Sequence, residues 1–236
     1  MARLGVNIEA IAILRENGVV DADPLTIAML AELGGADGIV CPIREDMPYI
    51  KDRDLKLLKE VVKTHLNIQA PPDESLIRAV LSVNPDMITL VPGKKPGNTP
   101  GGGLDVLGQG SNLAKWVKDL RSQDVVISVL VEPNIHQIKA ALKIGVDYVE
   151  LHLGLYAKAE DLNERSDQLE AINSVAMAAQ KLGLGVAAGQ GADFQNIMAV
   201  TSIDAIEEIN VGRAIISRAL SIGMEPAVRD MVAMVH

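Results

Sequence analysis

Short apolar runs alternate with longer amphipathic segments along this chain. The apolar runs are mostly unbroken, with few polar residues at every second position, which is typical of strands in a parallel sheet covered on both faces. We predict eight strands, at Leu4–Ile8, Gly38–Cys41, Leu66–Ala70, Met87–Val91, Val125–Val131, Tyr148–Leu153, Val186–Ala188 and Ile206–Val211.

The segments between these strands carry apolar residues at the spacing of a helix face, or are rich in alanine. Asp23 followed by Pro24 favours a helix start, because aspartate caps the first free amides and proline fits the first helical position. Asp73 is placed to cap another helix. The predicted helices are Pro24–Leu33, Asp54–Thr64, Glu74–Val83, Asn134–Ile144, Asp161–Leu182 and Asp193–Val200, the last with Asp193 as its cap.

Strict alternation of strand and helix indicates a parallel α/β sheet, and eight units in a chain of 236 residues indicate closure into a single (β/α)8 TIM barrel with extra helices. The alternative is an open, doubly wound sheet. It is disfavoured because the glycine-rich turn of a dinucleotide fold does not follow the first strand. No linker or composition change divides the chain, so we expect residues 1–236 to form one domain.

Composition limits the partners and the compartment. The formal net charge is −9, which gives no general positive field for a nucleic acid or an acidic membrane surface. One cysteine, Cys41, excludes an internal disulfide framework. The N-terminal sequence MARLGVNIEA lacks the long apolar region of a signal peptide, and no apolar run reaches membrane-spanning length, so we expect a cytoplasmic protein.

Two late strands end in glycines that each lead into a helix. The first ends in Gly189-Gln190-Gly191 and the second in Gly212-Arg213. Free amides and the positive end of a helix both favour an anion, and the loops after strands seven and eight of such barrels commonly bind phosphate. These strand ends therefore predict a site for inorganic phosphate or a phosphorylated small molecule.

The segment Gly93–Gly103, GKKPGNTPGGG, follows the fourth predicted strand and has few side chains that could pack. Such a segment is either a disordered connection or a mobile lid. Because it lies at the end of the barrel that carries chemistry, we favour the lid.

Polar residues at the strand ends are the candidates for chemistry. Glu150 is the most informative, because a lone carboxylate in an apolar strand is costly unless it is paired or used, and Arg44 is its expected partner. Asn210 and His152 have a competing interpretation as buried groups that only satisfy hydrogen bonds. No cluster of ligands has metal-binding spacing, so we expect neither a metal nor a cofactor. The full set at the strand ends is Asn7, Arg44, Gln69, Glu150, His152, Gln190 and Asn210.

Six motifs, in order along the whole chain, resemble the pyridoxine 5'-phosphate synthase family: LGVNIEAIAILR, REDMPYIKDRD, TPGGGLDV, VELHLGLYA, AAGQG and EEINVGRAIISRA. The resemblance implies a β/α barrel with extra helices that assembles as an octamer. It also implies the family reaction, which condenses 1-deoxy-D-xylulose 5-phosphate with 3-amino-2-oxopropyl phosphate to close the pyridine ring of vitamin B6.

Several family positions are retained. By resemblance, Asn7 contacts the amino-ketone phosphate, Arg44 and Thr99 contact the pentulose phosphate, and Glu150 stabilises the transition state. The glycines that hold phosphate correspond to Gly191 and Gly212, and Arg213 replaces a histidine beside that phosphate.

The three acid–base positions are not retained. The family motif H-L-R-E-D begins here with Pro42, N-L-E ends with Gln69, and A-G-H-G contains Gln190. Since loss of one such group typically costs about 10²–10⁴-fold in rate, we expect the parent condensation to be lost or severely impaired. Three hypotheses stay open: a family enzyme that is still active, a different enzyme acting on a phosphorylated ketone or sugar, and a non-catalytic metabolite-binding paralogue.

Overall fold

A computed structural model of the chain describes residues 1–19, 21–44, 49–93 and 102–236. Thr99 and most of the predicted lid lie outside the described residues. The strands are β1 Arg3–Asn7, β2 Gly38–Pro42, β3 His65–Ala70, β4 Met87–Leu90, β5 Val126–Val131, β6 Tyr148–His152, β7 Gly185–Gly189 and β8 Glu208–Val211.

The eight strands form one closed parallel barrel in chain order. The barrel closes where β1 pairs with β8, with Gly5 opposite Asn210. The predicted (β/α)8 TIM barrel is therefore confirmed and the open doubly wound sheet is excluded, since an open sheet would leave its edge strands unpaired.

Helices cover the outside of the barrel. Two of them, Pro24–Leu33 and Glu74–Val83, have the predicted bounds, because Asp23 and Asp73 each accept hydrogen bonds from the first amides of the helix. The helices of the described residues are α1 Glu9–Glu16, α2 Pro24–Leu33, α3 Asp52–Val61, α4 Glu74–Val83, α5 Val106–Arg121, α6 Ile135–Ile144, α7 Gly154–Lys158, α8 Leu162–Lys181, α9 Ile197–Thr201, α10 Arg213–Ile222 and α11 Met224–Val235.

The sequence patterns do not predict α1, α5, the short α7 and α11. Neither α1 nor α11 has a capping side chain at its start, and α5 holds Gly108 and Gly110, which weaken a helical pattern. The predicted cap at Asp193 is wrong. Its carboxylate accepts from the amides of Gln195 and Asn196 in a turn, and α9 begins only at Ile197.

The inside of the barrel is largely polar. The outward-facing strand residues are apolar and pack against the helices, whereas the inward-facing positions of several strands carry amides, hydroxyls and carboxylates. Gln69 on β3 reaches across to Glu150 on β6, which shows that these side chains share the interior. The buried polar residues of the barrel strands are Asn67, Gln69, Thr89, Ser128, Glu150, His152, Glu208 and Asn210.

Across the described ranges, none of the helices is long and apolar enough to span a lipid bilayer. The buried core is built mainly from leucine, isoleucine, valine and alanine, as a chain with 2% aromatic residues requires.

Candidate functional site

A cavity of about 390 Å³ opens at the carboxyl ends of β1, β7 and β8. This is the end of a β/α barrel at which loops and helix starts converge, and where chemistry is usually found. The cavity is lined by Asn7, Glu9, Ala10, Ile13, Gln190, Gly191, Ala192, Asp193, Asn210, Gly212, Arg213 and Ala214.

The β7 end enters the cavity in an unusual backbone conformation. Gln190 has a φ of 64° and Gly191 a φ of 144°, both in the region that favours glycine. A Cβ on Gly191 would also lie 2.9 Å from Cβ of Ala157, so glycine is required there on two grounds. A non-glycine residue held at positive φ is often found at functional sites.

The β8 end meets the start of α10 at the same cavity. Gly212 is the N-cap of α10, and no side chain caps that helix. Its first amides are therefore left for another acceptor, and the helix start carries partial positive charge. Arg213, the first helical residue, has no ion-pair partner among the described residues and adds a full positive charge.

Two carboxylates line the cavity, and the sequence patterns single out neither as a site residue. Glu9 pairs with Arg44, whose Nε lies 3.1 Å from Glu9 Oε1. The Asp193 carboxylate accepts the two backbone amides of its turn. The expected pairing of Arg44 with Glu150 is therefore wrong, because α1 brings Glu9 to Arg44. The sequence signal that could have predicted this pair is Glu9, an acid in the first turn of the helix that follows β1.

Glu150 is completely buried inside the barrel. Its Oε2 accepts a hydrogen bond of 2.9 Å from Nε2 of Gln69. Burial raises the pKa of Glu150 from the ordinary 4.5 to about 7, with Glu208 adding to the rise and the neighbouring Asn210 and Gln69 amides opposing it. Glu150 is therefore a carboxyl group that can gain or lose a proton near neutral pH.

His152 lies two residues further along β6. Its Nδ1 accepts the backbone amide of Gly154 at 3.1 Å and lies 3.6 Å from Oε1 of Glu132. Burial lowers the pKa of His152, and the Glu132 carboxylate opposes that effect. These contacts favour the interpretation of His152 as a hydrogen-bonded buried histidine.

The structure thus places the predicted site residues in three groups. Asn7, Gln190, Gly191, Gly212 and Arg213 share the cavity. Gln69 and Glu150 meet inside the barrel, and the buried Pro42 is the register partner of Gln69 on β2. Arg44 lies at the end of the barrel in its pair with Glu9, and Thr99 falls outside the described residues.

Replacing Glu150 by glutamine is expected to stabilise the protein at high pH. Because the carboxyl holds its proton more tightly in the folded state, stability falls as the pH rises from about 4.5 to about 7 and is lowest above that window. We expect Glu150→Gln to raise the free energy of unfolding by about 3 kcal/mol at pH 8 and by little at pH 4. Urea denaturation at both pH values measures this.

The matched control is Glu170→Gln, on the exposed face of α8, which should change stability at neither pH. An equal effect of Glu150→Gln at both pH values would show that packing, and not the buried charge, governs this position.

The chain matches the family described as "Pyridoxal phosphate biosynthesis protein PdxJ" over residues 4–236. It is 45% identical over 236 residues to the pyridoxine 5'-phosphate synthase of Geobacter metallireducens, covering 100% of this chain and 99% of that protein. The chain belongs to this family. The synthase of the same name from Geobacter sulfurreducens is 43% identical over 236 residues, covering 100% and 99%. That of Synechococcus is 42% identical over 237 residues, with 100% and 95% covered.

Solved structures of low identity share the fold. KGPDC from Streptococcus mutans has a TM-score of 0.63 and 11% identity, with 100% of this chain and 97% of that chain covered. Phosphoribosylanthranilate isomerase from Thermotoga maritima has a TM-score of 0.62 and 11% identity, with 100% and 98% covered. At such identity these likenesses concern the barrel alone.

Proposed function

We propose that this family member binds a phosphorylated small molecule at the carboxyl end of its barrel and has lost most or all of the parent condensation. The observation that carries the proposal is the cavity that joins Gly191, the uncapped start of α10 and Arg213, which has no ion-pair partner in the part of the chain that the structure describes. The same positions correspond to the phosphate contacts implied by the family motifs.

The electrostatics of the cavity support an anion. The two acids that line it are already engaged, Glu9 by Arg44 and Asp193 by backbone amides. The Asp193 carboxylate keeps its negative charge in these contacts, so the positive charge that an anion would meet is local, at Arg213 and the first amides of α10. A phosphate group there would accept from both kinds of donor, and charge-assisted hydrogen bonds are the strong ones.

Three side chains at the family's acid–base positions lack the chemistry that the parent condensation needs, which supports a low rate of that reaction. Pro42 cannot take up a proton, and the amides of Gln69 and Gln190 do not titrate. The Gln69 amide is instead used to hold Glu150. A reaction with several proton transfers needs groups with pKa values near the working pH, and among the described residues Glu150, beside Gln69, has such a pKa.

Arg213→Ala is expected to weaken the binding of inorganic phosphate about tenfold, because it removes one charge-assisted contact worth about 1.4 kcal/mol. Isothermal titration calorimetry at low ionic strength measures the dissociation constant. Arg78→Ala is the matched control, since Arg78 is an exposed arginine of α4 on the outside of the barrel. Equal affinity of both variants would place the anion elsewhere.

The loss of the parent reaction is tested by incubating the unmodified chain with both family substrates and analysing the products by mass spectrometry. We expect binding of the substrates, seen as a raised melting temperature, with little or no pyridoxine 5'-phosphate. Product at a rate typical of an enzyme would contradict the proposal, and would assign the proton transfers to Glu150, His152 or water.

A second candidate function is a different enzyme on this scaffold, acting on a phosphorylated ketone or sugar. The observation in its favour is Glu150, whose raised pKa suits a general acid or base and is not needed by a protein that only binds. Glu150→Gln should then abolish turnover of such a substrate while phosphate affinity is kept. Unchanged turnover in this variant would remove Glu150 from the chemistry.

A further inference from the structure

Asn196 lies outside the cavity but holds the loop that forms one of its walls. The residue is buried, with 6% of its surface exposed. Its Nδ2 donates to the carbonyl oxygen of Gly191 at 2.9 Å, and its Oδ1 accepts the amide of Asp193 at 2.9 Å. Gly191 and Asp193 line the cavity and Asn196 does not, so any effect of Asn196 on the cavity must pass through this loop.

The backbone of Asn196 is fixed from two further directions. Its amide donates to Oδ1 of Asp193 at 3.0 Å, so Asp193 and Asn196 bind each other reciprocally. Its carbonyl oxygen accepts the hydroxyl of Tyr156, on α7, at 2.9 Å. Tyr156 is 2% exposed, so a buried side chain anchors the loop to the neighbouring β/α unit.

The loop needs this support because it begins in an unfavourable backbone conformation. Gln190 has a φ of 64° and Gly191 a φ of 144°. Such conformations persist only where the surrounding structure fixes them. The contacts of Asn196 and Tyr156 supply that constraint immediately after the strained residues.

The hydrogen bond to Gly191 also sets the direction of the next amide. A peptide group is planar and trans, so its carbonyl and its N–H point in opposite directions. The carbonyl of Gly191 and the N–H of Ala192 belong to one such group. With that carbonyl held by Asn196, the N–H of Ala192 is turned away from Asn196. Ala192 lines the cavity, and neither its amide nor that of Gly191 has a hydrogen-bond acceptor among the described residues.

We propose that Asn196 is a positioning residue, which orients the free amides of Gly191 and Ala192 toward an anion in the cavity. This rests on the proposed anion site and adds a residue that shapes the site without touching the ligand. Backbone amides bind an anion well when they are already directed at it. Without Asn196, the strained loop would relax and turn the two amides away.

Replacing Asn196 by alanine is expected to weaken sulfate binding about tenfold at about pH 7, because the peptide between Gly191 and Ala192 is no longer held. Sulfate is the probe because, unlike phosphate, it does not titrate between weakly acidic and neutral solution. Isothermal titration calorimetry gives the dissociation constant, and the same tenfold loss is expected at about pH 5.

Asn196→Asp supplies a pH-dependent rescue. Its ionised carboxylate would place a second acceptor against the Gly191 carbonyl, so binding at about pH 7 should be at least as weak as in Asn196→Ala. At about pH 5 the buried carboxyl gains a proton, can donate to Gly191 and should restore nearly the unmodified affinity. Relief of the added charge alone does not explain this pattern, because Asn196→Ala carries no charge and should stay weak at both pH values.

Two further variants guard against a general loss of stability. Tyr156→Phe removes one hydroxyl, keeps the buried ring and should weaken sulfate binding about threefold. Asn134→Ala is the matched control, since Asn134 accepts the amide of His136 at the start of α6 and does not line the cavity. It should lose stability and keep the sulfate affinity. Circular dichroism shows which variants fold.

The outcomes separate the two proposals. If the unmodified chain binds neither sulfate nor inorganic phosphate, the anion site is wrong and the role of Asn196 falls with it. If it binds sulfate and Asn196→Ala binds equally well, the role of Asn196 is wrong and the anion site stands. Where that variant does not fold, unchanged affinity in Tyr156→Phe leads to the same conclusion. Equal weakening by Asn134→Ala would assign the effect to lost stability, which also overturns the proposal.

Discussion

A chain carrying Pro42→His, Gln69→Glu and Gln190→His together is expected to form pyridoxine 5'-phosphate at least about 10⁴-fold faster than the unmodified chain. Each substitution restores a group that can carry a proton, and one such group contributes about 10²–10⁴-fold. The assay mixes 1-deoxy-D-xylulose 5-phosphate with 3-amino-2-oxopropyl phosphate and measures the product by mass spectrometry.

The structure gives reasons why the restored groups should act together. Residues 42 and 69 are register partners on neighbouring strands, and residue 190 lines the cavity at the end of β7. Histidine is among the residues that tolerate a positive φ such as the 64° of Gln190. A glutamate at position 69 would lie at hydrogen-bond distance from Glu150, where two carboxyls share one proton and one of them becomes a stronger base.

The three single variants are the controls, and each should remain far below the triple variant, because the reaction needs several proton transfers in sequence. If the unmodified chain already matches the triple variant, the three positions are not what limits this protein. If the triple variant binds both substrates but forms no product, further differences from the family, such as Arg213, must block the reaction.

Gly103→Ala is expected to lower the free energy of unfolding by about 2–4 kcal/mol. A Cβ on Gly103 would lie 2.3 Å from the backbone nitrogen of Glu132 and 2.5 Å from the carbonyl carbon of Val131. These are backbone atoms of the β5 end, which cannot turn aside as a side chain can. Shifting them would also break the 2.8 Å hydrogen bond from Gly103 N to Glu132 Oε1.

The matched control is Gly110→Ala, within α5. Among the described residues outside its own helix, the nearest atom to the added Cβ would be Cγ2 of Ile144 at 4.0 Å, so alanine should stabilise the helix by about 0.5–1 kcal/mol. Urea denaturation followed by circular dichroism measures both variants. A neutral effect of Gly103→Ala would mean that the chain at Gly103 can move away from β5 without cost.

Much of the barrel could be predicted from the sequence because its cause is local. Unbroken apolar runs indicate strands buried on both faces, and caps such as Asp23 and Asp73 mark helix starts with their own side chains. The anion site could be proposed for the same reason, since glycine-ended strands in a parallel barrel have their carboxyl ends at one edge. The helices α1 and α11 have no capping side chain at their start, and for this reason the sequence patterns did not predict them.

The sequence by itself determined the eight parallel strands, the closed barrel, the edge that carries the cavity and several of the polar residues there, but not the two acids Glu9 and Asp193. Only the tertiary structure decided which of those residues meet. Gln69 and Glu150 form a hydrogen bond across the barrel interior. Arg44 forms an ion pair with Glu9, because α1 places that acid near it. The physical reason is that hydrogen bonds and ion pairs depend on distances of a few ångströms between side chains, which barrel closure and strand register set and no local pattern encodes.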